Sequence, residues 1–224
     1  MKLSRLGLIV GIVFCASLAF GQSMTFERTF KVGETTTYDI NTQMQTMVPI
    51  TMDMKIIYNI TKVYPDGSAD QLTTIKSGSV TVMGQSHPLP MQGQTKSIHV
   101  DKFGIPISAS SGVQLNRLER IIDLQLEHGL TVGKPRKFST ADSATKTDKY
   151  SGTLTLTDIT KGIAYVTFDV AIKVDKLSST PIHSAGVMNI DAKTHEILSE
   201  TSDTEGFTLH GQSIKSMHMV MKKI

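Results

Sequence analysis

The sequence predicts a mainly β fold: a duplicated, strongly curved antiparallel sheet, half-barrel-like, with one central amphipathic helix packed on the concave face. Three observations carry this. Most of the chain alternates apolar and polar residues with the period of two that puts one strand face in a core. Only residues 111–129 repeat at helical spacing. The flanks of that stretch, residues 22–110 and 130–224, carry matching landmarks in the same order.

In chain order, Phe26 and Phe30 fall on one side of a short first strand, and Val32-Gly33-Glu34 turns the chain into a second with Tyr38, Ile40 and Met44 on one face. Residues 48–60 alternate most cleanly, with Val48, Ile50, Met52, Met54, Ile56, Tyr58 and Ile60 opposed to Thr51, Asp53, Lys55 and Asn59. Pro65-Asp66-Gly67 predicts a hairpin into residues 68–76, then a short alternation over 79–83 and a Pro/Gly-rich loop over 84–93. A second hairpin turn is expected at Asp101–Gly104. Leu115, Leu118, Ile122 and Leu126 form the helical stripe, bounded by a Ser111/Gln114 capping box and a Gly129 stop. The four are expected to touch residues 48–60 on one side and 163–174 or 207–221 on the other. The second half repeats the scheme, with a polar loop over 141–149, strands over 150–160 and 163–174 around Lys161-Gly162, a turn at 191–194, and a last strand over 207–221.

The repeat rests on three correspondences. Phe30–Glu34 answers to Leu130–Lys134, Asn59–Lys62 to Asp158–Lys161, and Ile98–Asp101 to Met188–Asp191. The unit is too long for a solenoid repeat, so duplication of a half-domain is the expectation.

Residues 1–21 read as a signal peptide. Lys2 and Arg5 precede an apolar run over 6–20, and Ala19 and Gly21 supply the small residues that place cleavage before Gln22. Phe14 stands before Cys15 where a lipoprotein signal needs a small residue. A single domain over 22–224, secreted or periplasmic, is therefore expected. It has no cysteine, and without Lys2 and Arg5 the 23 basic residues exceed the 20 acidic ones by about one charge. Such a balance excludes a basic nucleic-acid footprint, and no second apolar run is long enough to span a membrane.

The strand-and-turn pattern resembles a family of secreted bacterial proteins known only as a domain of unknown function. The likeness lies in Val32-Gly33-Glu34 through Tyr38, the Gly152–Asp158 strand with its Gly162 turn, the alternation from Ala164, and the later strand with its Asp191 turn. It implies a secreted β-rich protein with two similar halves and no catalytic residues to transfer. At fold level only, the arrangement is similar to the half-barrels of lipoprotein-carrier proteins.

Catalytic constellations are missing. Gly211-Gln212-Ser213-Ile214-Lys215 fails as a nucleophile elbow, Ser143–Lys146 lies in a polar loop, and His195-Glu196 lacks the second histidine of a zinc helix. The seven histidines are scattered. The conspicuous feature is the methionines, twelve in all, several on alternate positions: Met52 and Met54, then Met217, Met219 and Met221. Period-two spacing lines any strand face in this way, and methionine suits a pliable apolar groove, while thioethers are also soft Cu(I) ligands. The expectation is a non-enzymatic protein without cofactor. It would bind an apolar small molecule or lipid, or an envelope protein, in a groove lined by Met52, Met54, Leu118, Ile122, Met217, Met219 and Met221. A closed core with a purely structural role, or Cu(I) binding, is the alternative.

Overall fold

A computed structural model describes residues 21–108, 126–141, 149–173, 181–209 and 212–224. The strands of the first half are β1 (Ser23–Met24), β2 (Thr35–Gln45), β3 (Ile50–Val63), β4 (Ala69–Val82), β5 (Gln85–Pro88), β6 (Thr95–Val100) and β7 (Pro106–Ser108). Those of the second are β8 (Leu130–Thr131), β9 (Arg136–Ala141), β10 (Lys149–Thr160), β11 (Ile163–Lys173), β12 (Ile182–Asp191), β13 (Ile197–Leu209) and β14 (Gln212–Lys223). Twelve of them form one antiparallel sheet in the order β7-β6-β4-β3-β2-β14-β13-β12-β11-β10-β9, with β5 beside β4; β1 and β8 pair separately. Each half is a meander, and the last strand of the chain joins them by pairing with β2.

The hairpins form where turn chemistry asks for them. At Lys161-Gly162 both residues have positive φ, 54° and 77°, the type I′ geometry whose twist matches the flanking strands. At the β3–β4 turn the Tyr64 N–H donates to the Ser68 carbonyl at 2.8 Å. The registers align the inward faces into rows. One row runs Met54, Ile40, Met221, Glu200, Met188, Val166 and Leu156 across β3, β2, β14, β13, β12, β11 and β10.

Three apolar clusters sit on this face: one of Tyr38, Ile40 and Met221 where β2 meets β14, and one in each half. The larger, in the second half, includes Leu154, Leu156, Val166, Phe168, Met188 and Ile190. The smaller, in the first, holds Phe30, Ile60, Ala69 and Val100, with Val63 and Ile98 against it. The halves close with the same bonds. The Gly33 N–H donates to Ile60 O and the Gly133 N–H to Leu156 O, each at 2.8 Å. Ala69 pairs with Val100, and Ala164 with Ile190. By these bonds Ile60 matches Leu156 rather than Ile159, three residues away from the sequence-based alignment of that landmark.

The central helix is a correction. Among the described residues there is no helix. Residues 111–125, with Leu115, Leu118 and Ile122, lie outside the described residues. From Leu126 the chain makes a turn, with Gly129 at φ 71° donating its N–H to Leu126 O at 2.9 Å, and then enters β8. Leu126 is buried in the larger cluster. Covering the inner face is the task expected of a helix, yet a segment near the N-terminus without helix takes part in that work. Met24 and Phe26 pack into the larger cluster and Phe30 into the smaller, so one short segment bridges both. An i, i+4 pair such as Phe26 and Phe30 needs no helix to serve two cores. Other boundaries also differ. Residues 25–31 contain no strand, β4 fuses two expected strands, and 207–209 belong to β13.

Candidate functional site

A cavity of about 170 Å³ lies on the inner face. Seven adjacent strands contribute to its wall: Val100 from β6, Thr73 from β4, Tyr58 from β3, Tyr38 from β2, Met221 from β14, Glu200 from β13 and Met188 from β12.

The bridging segment lines part of the other side, and the cavity stays partly open to solvent. Phe26, Arg28, Phe103, Gly104, Leu126 and His195 are among the residues that line it there. Arg28 is held from three directions: its N–H donates to Lys102 O at 2.7 Å, its guanidinium lies 4.7 Å from the Phe30 ring centroid, and its Nη2 is 3.5 Å from Glu34. The ring of Phe26 meets His195 edge-on at 6.3 Å. Lys102 pairs with Glu27 at 3.1 Å. The segment is thereby fixed to the 101–105 turn of one half and the 191–196 turn of the other.

The second of these turns presents two polar groups to the cavity. Asp191 accepts the N–H groups of Thr194 (2.7 Å) and Lys193 (2.9 Å), and these bonds, Thr194 first, hold its carboxyl below the ordinary aspartate range. With Asp191 O accepting the His195 N–H at 2.8 Å, His195 is fixed at φ 58°, a left-handed conformation that histidine adopts more readily than most residues. Its Nδ1–H donates to the Glu27 carbonyl. Glu196, next in the chain, is buried and accepts from the Thr36 hydroxyl and the Lys223 ammonium, with Arg28 Nη2 at 3.9 Å. Glu200 is only 2% exposed. The Thr73 Oγ1, also on the wall, is buried with no hydrogen-bond partner among the described residues. The site thus combines an apolar and aromatic wall with a polar end rich in carboxylate.

Of the described residues that the sequence places in a groove, Met221 alone lines this cavity. Met219 and Met217 continue its inward row along β14, half-buried, and the register sets Met217 opposite Met44. Met52 and Met54 lie two strands away, opposite Thr42 and Ile40, also half-buried. Leu118 and Ile122 lie outside the described residues. Sequence reasoning misses Arg28, Thr36, Thr73, Glu196 and Glu200. Glu200 shares its inward face with Ser202 and Thr204, all under 5% exposed, so β13 buries a polar face and offers no apolar phase to read. In the sequence, His195-Glu196 stands out only as an incomplete zinc motif.

Among the described residues no group of three or more His, Cys, Asp or Glu is placed to hold a metal ion, and no helix is long and apolar enough to cross a membrane. No protein-family model matches the chain, and none of the curated proteins is similar to it. The fold and the cavity therefore carry the functional argument.

Proposed function

We propose that the protein is a non-enzymatic, secreted or periplasmic binding protein that holds a small apolar ligand in the cavity on the inner face of its sheet. The observation that supports this is one pocket, partly open to solvent, lined by seven adjacent strands and by Phe26 and Arg28 of the bridging segment. Its volume, about 170 Å³, is close to that of an apolar cavity that accepts benzene, so a single ring or a short alkyl chain is the scale of what enters. The export half of the proposal rests on the Lys2/Arg5 flank and the apolar run before Gln22.

The paired bonds at Gly33 and Gly133 support descent of the two halves from one duplicated unit. Under that equivalence Ile60 opposite Gln71 answers to Leu156 opposite Val166, and so Thr73 stands where the second half has Phe168. Phe168 is buried over Gly186, filling its half. Threonine at the matching site leaves the other half unfilled. Thr73→Phe tests the reading. It should fill the void and abolish binding of hexanol by the purified protein in calorimetry. Hexanol that fails to bind the unaltered protein, or binds equally after the substitution, would refute it.

A further inference from the structure

We propose that the inner face of β2 and β14, beside the cavity, holds a thioether site for a soft monovalent cation, Cu(I) or Ag(I). The alternation in the sequence makes Met217, Met219 and Met221 neighbours along one strand, but the register assembles a different set. Met44 of β2 lies directly opposite Met217 of β14, and Met219, two residues on, faces Thr42. Met52 of β3 faces Thr42 from the other side. Opposed residues on one face have Cβ atoms about 5 Å apart and diagonal ones about 7–8 Å. Met44, Met217 and Met219 thus start from a compact triangle, with Met52 at its edge. Methionine's unbranched arm, with three rotatable bonds, lets sulfurs so placed turn toward one ion.

Two features set these methionines apart from core packing. Among the described residues, none of the three apolar clusters includes Met44, Met52 or Met217. With Met219 they are half-buried, within reach of an ion from solvent, whereas Met188 is 1% exposed in the larger cluster. The other feature is the chemistry around them. Residues 40–52 carry no charged side chain and no histidine. The remaining residues directly opposite the four, Ile50, Thr42, Thr204, Ser202 and Val80, supply neither carboxylate nor imidazole. His218 alternates onto the opposite face, where its Nδ1 pairs with Asp203 Oδ1 at 2.7 Å. Zinc takes thiolate, imidazole or carboxylate, and calcium takes oxygen, so neither is served by this set. Neutral thioethers select soft Cu(I), and Ag(I) shares that preference.

The test uses the purified full chain with ε-methyl 13C methionine, titrated with silver nitrate in chloride-free buffer at neutral pH. The Met44, Met217 and Met219 methyl resonances should shift together and saturate at one Ag(I) per chain. Met47 and Met83, exposed at hairpin turns, should move only with further silver. Met217→Leu, a swap of similar volume, should weaken binding at least about tenfold. Cu(I), added without oxygen as its acetonitrile complex, should displace the silver, and Zn(II) should not. Shifts at Met47 and Met83 in step with the three, or no saturation at one equivalent, would overturn the proposal. So would unchanged affinity in Met217→Leu, or silver that zinc displaces and copper does not. The titration of the unaltered protein decides the matter even if the variant folds poorly.

Discussion

Glu196 is where the fold and the cavity depend on the same side chain, and replacing it with glutamine isolates the charge. Its side chain is 6% exposed and ties the turn just before β13 to β2 through Thr36 and to β14 through Lys223, while Arg28 brings in the bridging segment. Two unit charges about 4 Å apart attract by roughly 4 kcal/mol at an effective dielectric of 20. Desolvation cancels much of this, and a hydrogen bond to a charged group is worth about 1.5–3 kcal/mol net. Neither cation is stranded by the change. Lys223 is 35% exposed and rehydrates, and Arg28 keeps Glu34. Glu196→Gln should therefore cost about 2–3 kcal/mol, less than the roughly 3–5 kcal/mol expected for orphaning a fully buried charge. At about 2–4 °C per kcal/mol for a domain of this size, the Tm should fall by about 4–12 °C. Urea denaturation of Glu196→Gln, Lys223→Met and the double variant gives the coupling, expected to be at least about 1 kcal/mol. A loss under about 0.5 kcal/mol with no coupling would mean that the network does not hold the strands together in solution.

Two further outcomes rest on named contacts. Asp70, held by the His99 ring and the Tyr64 hydroxyl, Asp66, held by Ser68, and Asp191, held by the Thr194 and Lys193 N–H groups, all have pKa values lowered from 3.8. A carboxyl depressed by folding adds stability that is complete above its unfolded pKa and is lost as pH falls through the folded one. Thermal melts should thus be insensitive to these groups near neutrality and decline below about pH 4, and Asp191→Asn should make the decline shallower. A Tm that stays flat down to about pH 2 would contradict those bonds. Gly186→Ala puts a Cβ 2.3 Å from Thr201 O and 2.6 Å from Phe168 Cζ, so the strands or the ring must shift. The cost should be about 1–3 kcal/mol by urea denaturation, partly relieved in a Phe168→Leu background; a neutral effect would argue against the β11–β12 register.

The strands that sequence reasoning locates share one property, a single apolar phase. In β11, Ala164, Val166, Phe168, Val170 and Ile172 all point inward and all are buried. Turns are legible because Asp66-Gly67 and Lys161-Gly162 are short-range chemistry. The strand order is not, since the pairing of β14 with β2 is settled by closure of the whole sheet and leaves no local mark. The helix expected over 111–129 shows the limit of periodicity. A stripe at spacing three and four shows that apolar residues recur, and in the described structure Met24, Phe26 and Phe30 pack on the inner face without forming a helix. The polar end of the cavity is invisible for a physical reason: a buried glutamate looks like a surface one until its partners, Thr36 and Lys223 for Glu196, are brought from distant strands.

The central claim is that a small ligand enters the void between the sheet and the Phe26–Phe30 segment, and the methionines supply the reporters. With ε-methyl 13C labelling, Met188 and Met221 report from the cavity wall, whereas Met47 and Met83, 98% and 80% exposed, report from the surface. Titration with hexanol should move the Met188 and Met221 methyl resonances saturably and leave Met47 and Met83 in place. Unmoved Met188 and Met221, or shifts shared equally by the exposed pair, would contradict the account.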